Sequence, residues 1–113
     1  MYQTPSLTVH VGTTVTWINS DGSIPHTVTA GWPDSESAGV DYLGGNGFDS
    51  DFMSGGATFE HTFEVPEEYD YYCQLYPWMT GTITVEYDLS FFLFIFYDDV
   101  FSSVMCTSSK FYP

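Results

Sequence analysis

Short segments in which apolar and polar residues alternate are the feature of this sequence that most constrains its fold. The alternation occupies residues 7–11 and 13–17, and it returns at residues 59–63 and 82–86. A period of two is typical of strands that bury one face, and several such segments separated by turn residues indicate a sandwich or barrel. Aromatic residues make up 19% of the chain and charged residues only 14%, which also favours strands. The sequence therefore predicts an all-β fold.

The segments between these strands are less regular. After a turn cluster at residues 19–23, residues 25–30 are expected to form a third short strand, and residues 69–73 a later one. Residues 31–56 are rich in Gly, Ser and Asp and contain few β-branched residues. This composition is typical of a long surface loop rather than of packed structure.

The chain divides into a domain at residues 1–87 and an atypical tail at residues 88–113. Residues 90–97 of the tail are apolar on both faces. They are too few to cross a bilayer, which needs about 20 apolar residues. Three interpretations stay open: an additional buried strand, a clipped membrane anchor, or sequence that is foreign to the ancestral domain.

The charge is strongly unbalanced, because fifteen Asp and Glu residues face the single cation Lys110 and the formal net charge is −14. Such a field repels nucleic acid and speeds the encounter with a basic protein surface. A role in solubility alone, including at high salt, is the alternative. The chain starts without a basic or apolar leader segment, so no signal peptide is expected in it.

Two motifs carry the chemistry of this sequence: PHTV at residues 25–28 and CQLYPWM at residues 73–79. A thiolate at the end of a strand and donors on the tight loop that follows can converge on one metal, with a further donor arriving from elsewhere. Cys73 or Met79 alone would more often be an ordinary core residue. Their spacing around Pro77, together with His26, favours a metal site.

The two motifs resemble those of the plastocyanin and halocyanin branch of the cupredoxins, the type 1 blue-copper proteins, whose last loop reads Cys-x-x-His-Pro-x-Met. The similarity extends from about Thr4 to Glu86. It implies a Greek-key β-sandwich with an additional first strand, for which this chain leaves no room before Thr4. The edge exposed in this way could be covered by the apolar residues 91–97 or by a second copy of the chain.

The resemblance also implies a ligand set for one copper ion. His26 would be the upstream imidazole, Cys73 the thiolate and Met79 the axial thioether. Imidazole and thiolate donors with a weak axial thioether suit copper in both oxidation states. The backbone amide of Thr27 would donate a hydrogen bond to the thiolate and so tune the site.

Tyr76 departs from the pattern, because it stands where the family places its second histidine ligand, the exposed residue through which the electron usually leaves. Four outcomes are open: a three-donor site with an open or water-filled position, ligation by the Tyr76 phenolate, substitution by another histidine, or an empty site. A phenol, with a pKa near ~10, binds only after deprotonation.

The other histidines, His10 and His61, belong to no ligand loop. His61 shares a face with apolar neighbours, which predicts a buried or half-buried core histidine.

Two functions follow from this sequence. The first is a mononuclear type 1 copper electron-transfer protein with an altered ligand set, a basic redox protein as partner and no small-molecule substrate. The second is a copper-free cupredoxin-like module that binds a protein through exposed aromatic residues such as Tyr76, Trp78 and Trp32. An enzyme is not expected, because three scattered histidines cannot form the His-x-His pairs of multicopper oxidases. The resemblance implies an extracytoplasmic location and allows membrane association.

Overall fold

The computed structural model describes residues 1–87 and 101–106, and within them the chain forms seven strands and two short helical turns. The strands are β1 Ser6–His10, β2 Thr13–Asn19, β3 Thr29–Ala30, β4 Thr58–Phe63, β5 Glu68–Tyr72, β6 Thr80–Glu86 and β7 Phe101–Cys106. The helical turns, Gly39–Asp41 and Tyr42–Gly45, follow each other between β3 and β4. Neither of these turns, nor any other described helix, is long and apolar enough to span a membrane.

The strands form two sheets, one in the order β1-β6-β5-β3 and the other in the order β4-β2-β7. β1 runs parallel to β6 and β2 runs parallel to β7, while the remaining pairs are antiparallel. This arrangement confirms the predicted all-β sandwich. It also places the beginning of β6 and the ends of β2 and β5 toward one end of the sandwich.

The core is built around Trp17, which lies in the middle of β2 and is fully buried. Residues of β2 alternate between buried and half-buried, as the period-two pattern predicted. The Trp17 ring lies 5.4 to 6.5 Å, between centroids, from four other aromatic rings: those of Phe48, Phe59, Phe63 and Tyr71. Aromatic pairs at such separations add to the stability that their burial provides.

The predicted strand at residues 25–30 is only partly formed, because regular pairing is confined to Thr29–Ala30. His26 instead makes an isolated antiparallel bridge with Met53. The prediction of a long surface loop at residues 31–56 is also wrong in part, because Tyr42, Phe48 and Met53 from this segment are buried in the core.

Residues 48–53 lie beside residues 26–30 as an irregular edge of the sheet. The amide of Ser50 donates to the carbonyl of Val28 at 3.0 Å, and the amide of Ala30 donates to the carbonyl of Phe48 at 2.9 Å. The Ser50 side chain accepts a further bond from the Val28 amide at 2.8 Å. In residues 48–53, hydrogen bonds with side chains thus replace part of a regular strand ladder. The segment therefore has the composition of a loop although it is packed against the sheet.

A segment of the tail covers one edge of β2. β7 pairs with β2 in parallel over six residues, from Thr14 opposite Phe101 to Asn19 opposite Cys106. The tail therefore contributes the strand Phe101–Cys106 to this sheet. The apolar residues 90–97 lie outside the described residues, so their interpretation as an additional strand and the proposal that residues 91–97 cover an edge both stay predictions.

Asn19, at the end of β2, joins three chain segments next to the candidate site. Its fully buried amide group donates to the carbonyls of Ile24 and Met53, both at 2.9 Å. Its side-chain oxygen accepts a bond from the amide of Asp21, also at 2.9 Å. Because buried polar groups need partners, this one side chain fixes the turn after β2 against the segment that contains Met53.

We expect Asn19→Ala to lower the free energy of unfolding by roughly 2–3 kcal/mol, because it leaves buried backbone groups without partners. Asn46→Ala is the matched control: Asn46 is exposed and its side chain donates to Leu43 alone, at 3.1 Å. Its loss should cost no more than about 0.5 kcal/mol. Urea denaturation of the two variants measures both values, and equal losses would contradict this role of Asn19.

Candidate metal centre

The loop after β5 brings three of the predicted site residues together through its backbone. The amide of Tyr76 donates to the carbonyl of Cys73 at 3.2 Å, and the amide of Met79 donates to the carbonyl of Tyr76 at 2.8 Å. The amide of Cys73 in turn donates to the carbonyl of Met79 at 3.1 Å. This closed set of bonds makes residues 73–79 a compact turn in which Cys73 and Met79 are fully buried and Tyr76 is half-buried.

His26 faces this loop from the neighbouring segment. Two backbone bonds with Met53, at 2.8 and 3.2 Å, hold its main chain, and its side chain is fully buried. The Nδ1 atom of His26 lies 3.7 Å from the Sγ atom of Cys73. Metal bonds to imidazole and thiolate are about 2.0 and 2.3 Å long in zinc sites, so donors at this separation can bind one ion together.

The other ring nitrogen of His26 is held by a carboxylate. Nε2 lies 2.9 Å from Oδ2 of Asp21, so a proton on Nε2 is directed to the carboxylate and the lone pair of Nδ1 faces Cys73. Burial opposes protonation of this ring, but the bonds to Cys73 and Asp21 outweigh it and raise the pKa of His26. Sequence reasoning treated Asp21 only as a turn residue; its place five residues before His26 was the available signal.

Thr27 connects the two halves of the site through its amide and its hydroxyl. Its amide donates to Sγ of Cys73 at 3.3 Å, and its hydroxyl accepts a bond from the amide of Gln74 at 2.8 Å. Its carbonyl accepts a bond from the hydroxyl of Tyr2 at 2.8 Å. The amide thus contacts the sulfur of Cys73, and the hydroxyl adds a link that sequence reasoning missed.

The surroundings of Cys73 favour its thiolate form. Cys73 is a free cysteine. Burial alone would raise the pKa of this thiol, but hydrogen bonds from His26 and from the amides of Thr27, Tyr76 and Leu75 outweigh burial and lower it. A thiolate is the form that binds metals, so the lowered pKa of Cys73 favours binding of a metal cation.

Tyr76 and Trp78 lie between the buried donors and the surface. The Tyr76 ring packs against the His26 ring, with centroids 5.3 Å apart. The Trp78 ring lies 5.8 Å from that of Tyr76 in an edge-to-face arrangement, and 51% of Trp78 is exposed. Together with exposed Leu75, these side chains give the loop an apolar outer surface.

The two other histidines lie away from this site. His61 pairs with Val15 in the middle of the sheet, and its ring contacts those of Phe48 and Phe63 at 4.9 and 4.7 Å. Burial lowers the pKa of His61, as expected for a core histidine. His10 is exposed and pairs with Glu86 at the far end of β6. Neither is a substitute ligand in this arrangement.

The donor types predicted for this site fit copper. Among the described residues, no group of three or more His, Cys, Asp and Glu side chains is placed to hold a metal ion; the predicted third donor is the thioether of Met79. Soft sulfur ligands combined with imidazole select copper over the hard cations that carboxylates bind. The chemistry of His26, Cys73 and Met79 is therefore that of a copper site rather than of a calcium or magnesium site.

Comparison with known proteins agrees with this geometry. The model of the copper binding proteins of the plastocyanin/azurin family matches residues 1–86. Amicyanin from Paracoccus denitrificans is 39% identical over 85 residues, which cover 75% of this chain and 58% of that protein. The chain thus spans less than two thirds of the length of this curated relative.

Solved structures give the same result. A reduced amicyanin variant superimposes with a TM-score of 0.61 at 33% identity, over 74% of this chain and 71% of the other. A purple cupredoxin from Nitrosopumilus maritimus gives a TM-score of 0.58 at 38% identity, over 72% and 77% of the two chains. With the sandwich, the buried cysteine and the facing imidazole, these matches show that the chain belongs to the plastocyanin/azurin family of copper-binding proteins, the cupredoxins, whose cofactor is a single copper ion.

Proposed function

We propose that this protein is a mononuclear type 1 copper electron-transfer protein whose donors are His26, Cys73 and Met79. The observation that carries the proposal is the 3.7 Å approach of His26 Nδ1 to Cys73 Sγ, with both side chains fully buried. Copper held there would supply one-electron chemistry. The protein is a carrier rather than an enzyme in this proposal, and it needs no small-molecule substrate.

The residues around the donors are suited to this task. The Asp21 carboxylate orients the His26 ring, and the Thr27 amide stabilises charge on the Cys73 sulfur. Both contacts come from residues that are themselves fixed by hydrogen bonds, so the donors move little when the charge of the site changes. A site that reorganises little is what rapid electron transfer requires.

Tyr76 takes the place of the family's second histidine without acting as a ligand in this proposal. Its half-buried ring packs against the His26 ring, so Tyr76 covers this side of the proposed site. Of the four outcomes open from the sequence, the three-donor site is the one we propose. The domain of residues 1–87 contains every one of these groups, and residues 88–113 contribute none of the described site residues.

Adding copper(II) should produce an intense visible absorption band from the thiolate, and Cys73→Ala should abolish it. Met79→Leu should change the reduction potential, because the axial donor tunes it. Met53→Leu is the matched control, since Met53 is equally buried but is not a proposed donor. A colourless parent protein, or equal effects of the two methionine substitutions, would count against this ligand set.

Two substitutions in the same experiment test the role of Tyr76. Tyr76→Phe should leave the band unchanged, because the phenol oxygen is not a donor. Tyr76→His should raise copper affinity by about tenfold or more, the scale on which changes around a metal alter its binding. A band that is lost in Tyr76→Phe would show phenolate ligation instead.

In the copper-free protein, the Cys73 thiol should titrate below the range of an ordinary cysteine, because His26 and the Thr27 amide lower its pKa. His26→Ala removes one of these donors, so the thiolate should form only at higher pH. Ultraviolet absorbance of the thiolate follows the titration. His10→Ala, at the far end of β6, is the control and should leave the midpoint in place. An unchanged titration midpoint in His26→Ala would contradict a contact between His26 and the Cys73 sulfur.

We also propose a basic redox protein as partner and an extracytoplasmic location. The partner is inferred from charge: fifteen acidic residues and one cation in the chain leave a strongly negative surface, which attracts a positive protein over long range. The location follows from the family's relatives, and association with a membrane surface would be consistent with it.

The rate of electron transfer to a cationic oxidant should fall steeply with salt. Between about 0.01 M and about 1 M ionic strength the Debye length drops from about 30 Å to about 3 Å, and the attraction is screened. With an anionic oxidant such as ferricyanide, the same salt increase should raise the rate. Stopped-flow kinetics measure both trends. Identical trends for the two oxidants would exclude electrostatic steering.

A copper-free protein-binding module is the second candidate function. Exposed Trp78 and Leu75 on the loop and exposed Trp32 elsewhere favour it, because exposed aromatic residues often anchor interfaces. A parent protein that fails to bind copper but retains its fold would support this alternative.

A further inference from the structure

We propose that the rings of Tyr76 and Trp78 form the route by which an electron leaves the site. This inference rests on the copper function proposed above and specifies the path by which an electron passes from the buried site to the protein surface. It concerns two side chains that no donor role requires. In the family pattern the exit runs through an exposed histidine ligand, and in this chain that position is occupied by Tyr76.

The geometry of the rings carries the proposal. The His26 ring is fully buried, so it offers no direct contact to an acceptor. The Tyr76 ring follows at a centroid distance of 5.3 Å, and the Trp78 ring follows Tyr76 at 5.8 Å. Both distances are those of packed aromatic pairs. Trp78 is 51% exposed, so an unbroken series of conjugated rings extends from a proposed ligand to solvent.

The backbone of the loop keeps these rings in place. The amide of Tyr76 is bonded to the carbonyl of Cys73, and the carbonyl of Tyr76 accepts the bond from Met79. Tyr76 is therefore held between two of the proposed donors. Pro77, whose ring fixes one backbone angle, separates the two residues in the sequence and limits the freedom of the chain between them.

The electron balance of the step is simple. Copper bound there would supply one electron, changing from copper(I) to copper(II), and that electron would reduce an external oxidant. The two rings would serve as the medium and would not themselves be oxidised. The oxidant is a redox protein in the proposed function and an inorganic complex in the test.

The test compares the rates at which the reduced, copper-loaded variants are oxidised by tris(phenanthroline)cobalt(III), a cationic outer-sphere reagent. Trp78→Leu and Tyr76→Leu should each lower the second-order rate by about tenfold. Trp78→Phe and Tyr76→Phe keep a ring at each position and should recover most of the parent rate. Trp32→Leu is the matched control, because Trp32 is equally exposed, at 48%, but belongs to another segment.

Two further readouts separate this route from a change in the site itself. The visible band and the reduction potential should be the same in the parent and in all Trp78 and Trp32 variants. Copper(II) should also quench the fluorescence that Trp78 contributes, measured as the difference between the parent and Trp78→Phe. The quenching depends on the distance of the Trp78 ring from the bound copper and not on the rate of electron transfer.

The outcomes are distinguishable. If the parent shows no visible band, the copper function fails and the route fails with it. If the band and potential are intact but Trp78→Leu and Tyr76→Leu react as fast as the parent, the route is wrong and the copper function stands. If Trp32→Leu slows the reaction equally, the oxidant enters elsewhere and the proposal is overturned.

Discussion

The arrangement of the site depends on Thr27, which joins two segments that are far apart in sequence. Its amide holds the Cys73 sulfur and its hydroxyl holds the amide of Gln74. Through these bonds, the position of His26 is linked to the loop that carries Cys73 and Met79. Because Thr27 is fully buried and every polar group it has is bonded, the two segments form one rigid unit rather than two independent loops.

Rigidity at this end of the sandwich has a second source in the turn after β2. Asn19 fixes Asp21, and Asp21 holds the outer nitrogen of the His26 ring. The ring is thus held by a carboxylate on one side and faces the sulfur of Cys73 on the other. A buried imidazole that is held at both nitrogens keeps a single orientation, and a site built from such parts is prepared before any ion binds.

Much of the fold was predictable from the sequence, because alternation with a period of two reports directly which strand face is buried. The same reasoning failed at Phe48 and Met53, where serine and aspartate side chains replace ladder bonds and the local composition resembles a loop. In the site, Cys73, Met79 and His26 stood out through their spacing. Asp21 and the hydroxyl of Thr27 did not, since a turn aspartate and a strand threonine are common in any β protein and only tertiary contact reveals their partners.

The pairing of β2 with β7 has a consequence for how the chain folds. Thr14 and Phe101 lie near opposite ends of the sequence, yet they are direct neighbours in the sheet. Such non-local pairs are slow to form, because loop-closure entropy must be overcome before contacts compensate for it. A chain made from its N-terminus can therefore assemble the aromatic core around Trp17 before residues 101–106 are available to pair with the free edge of β2.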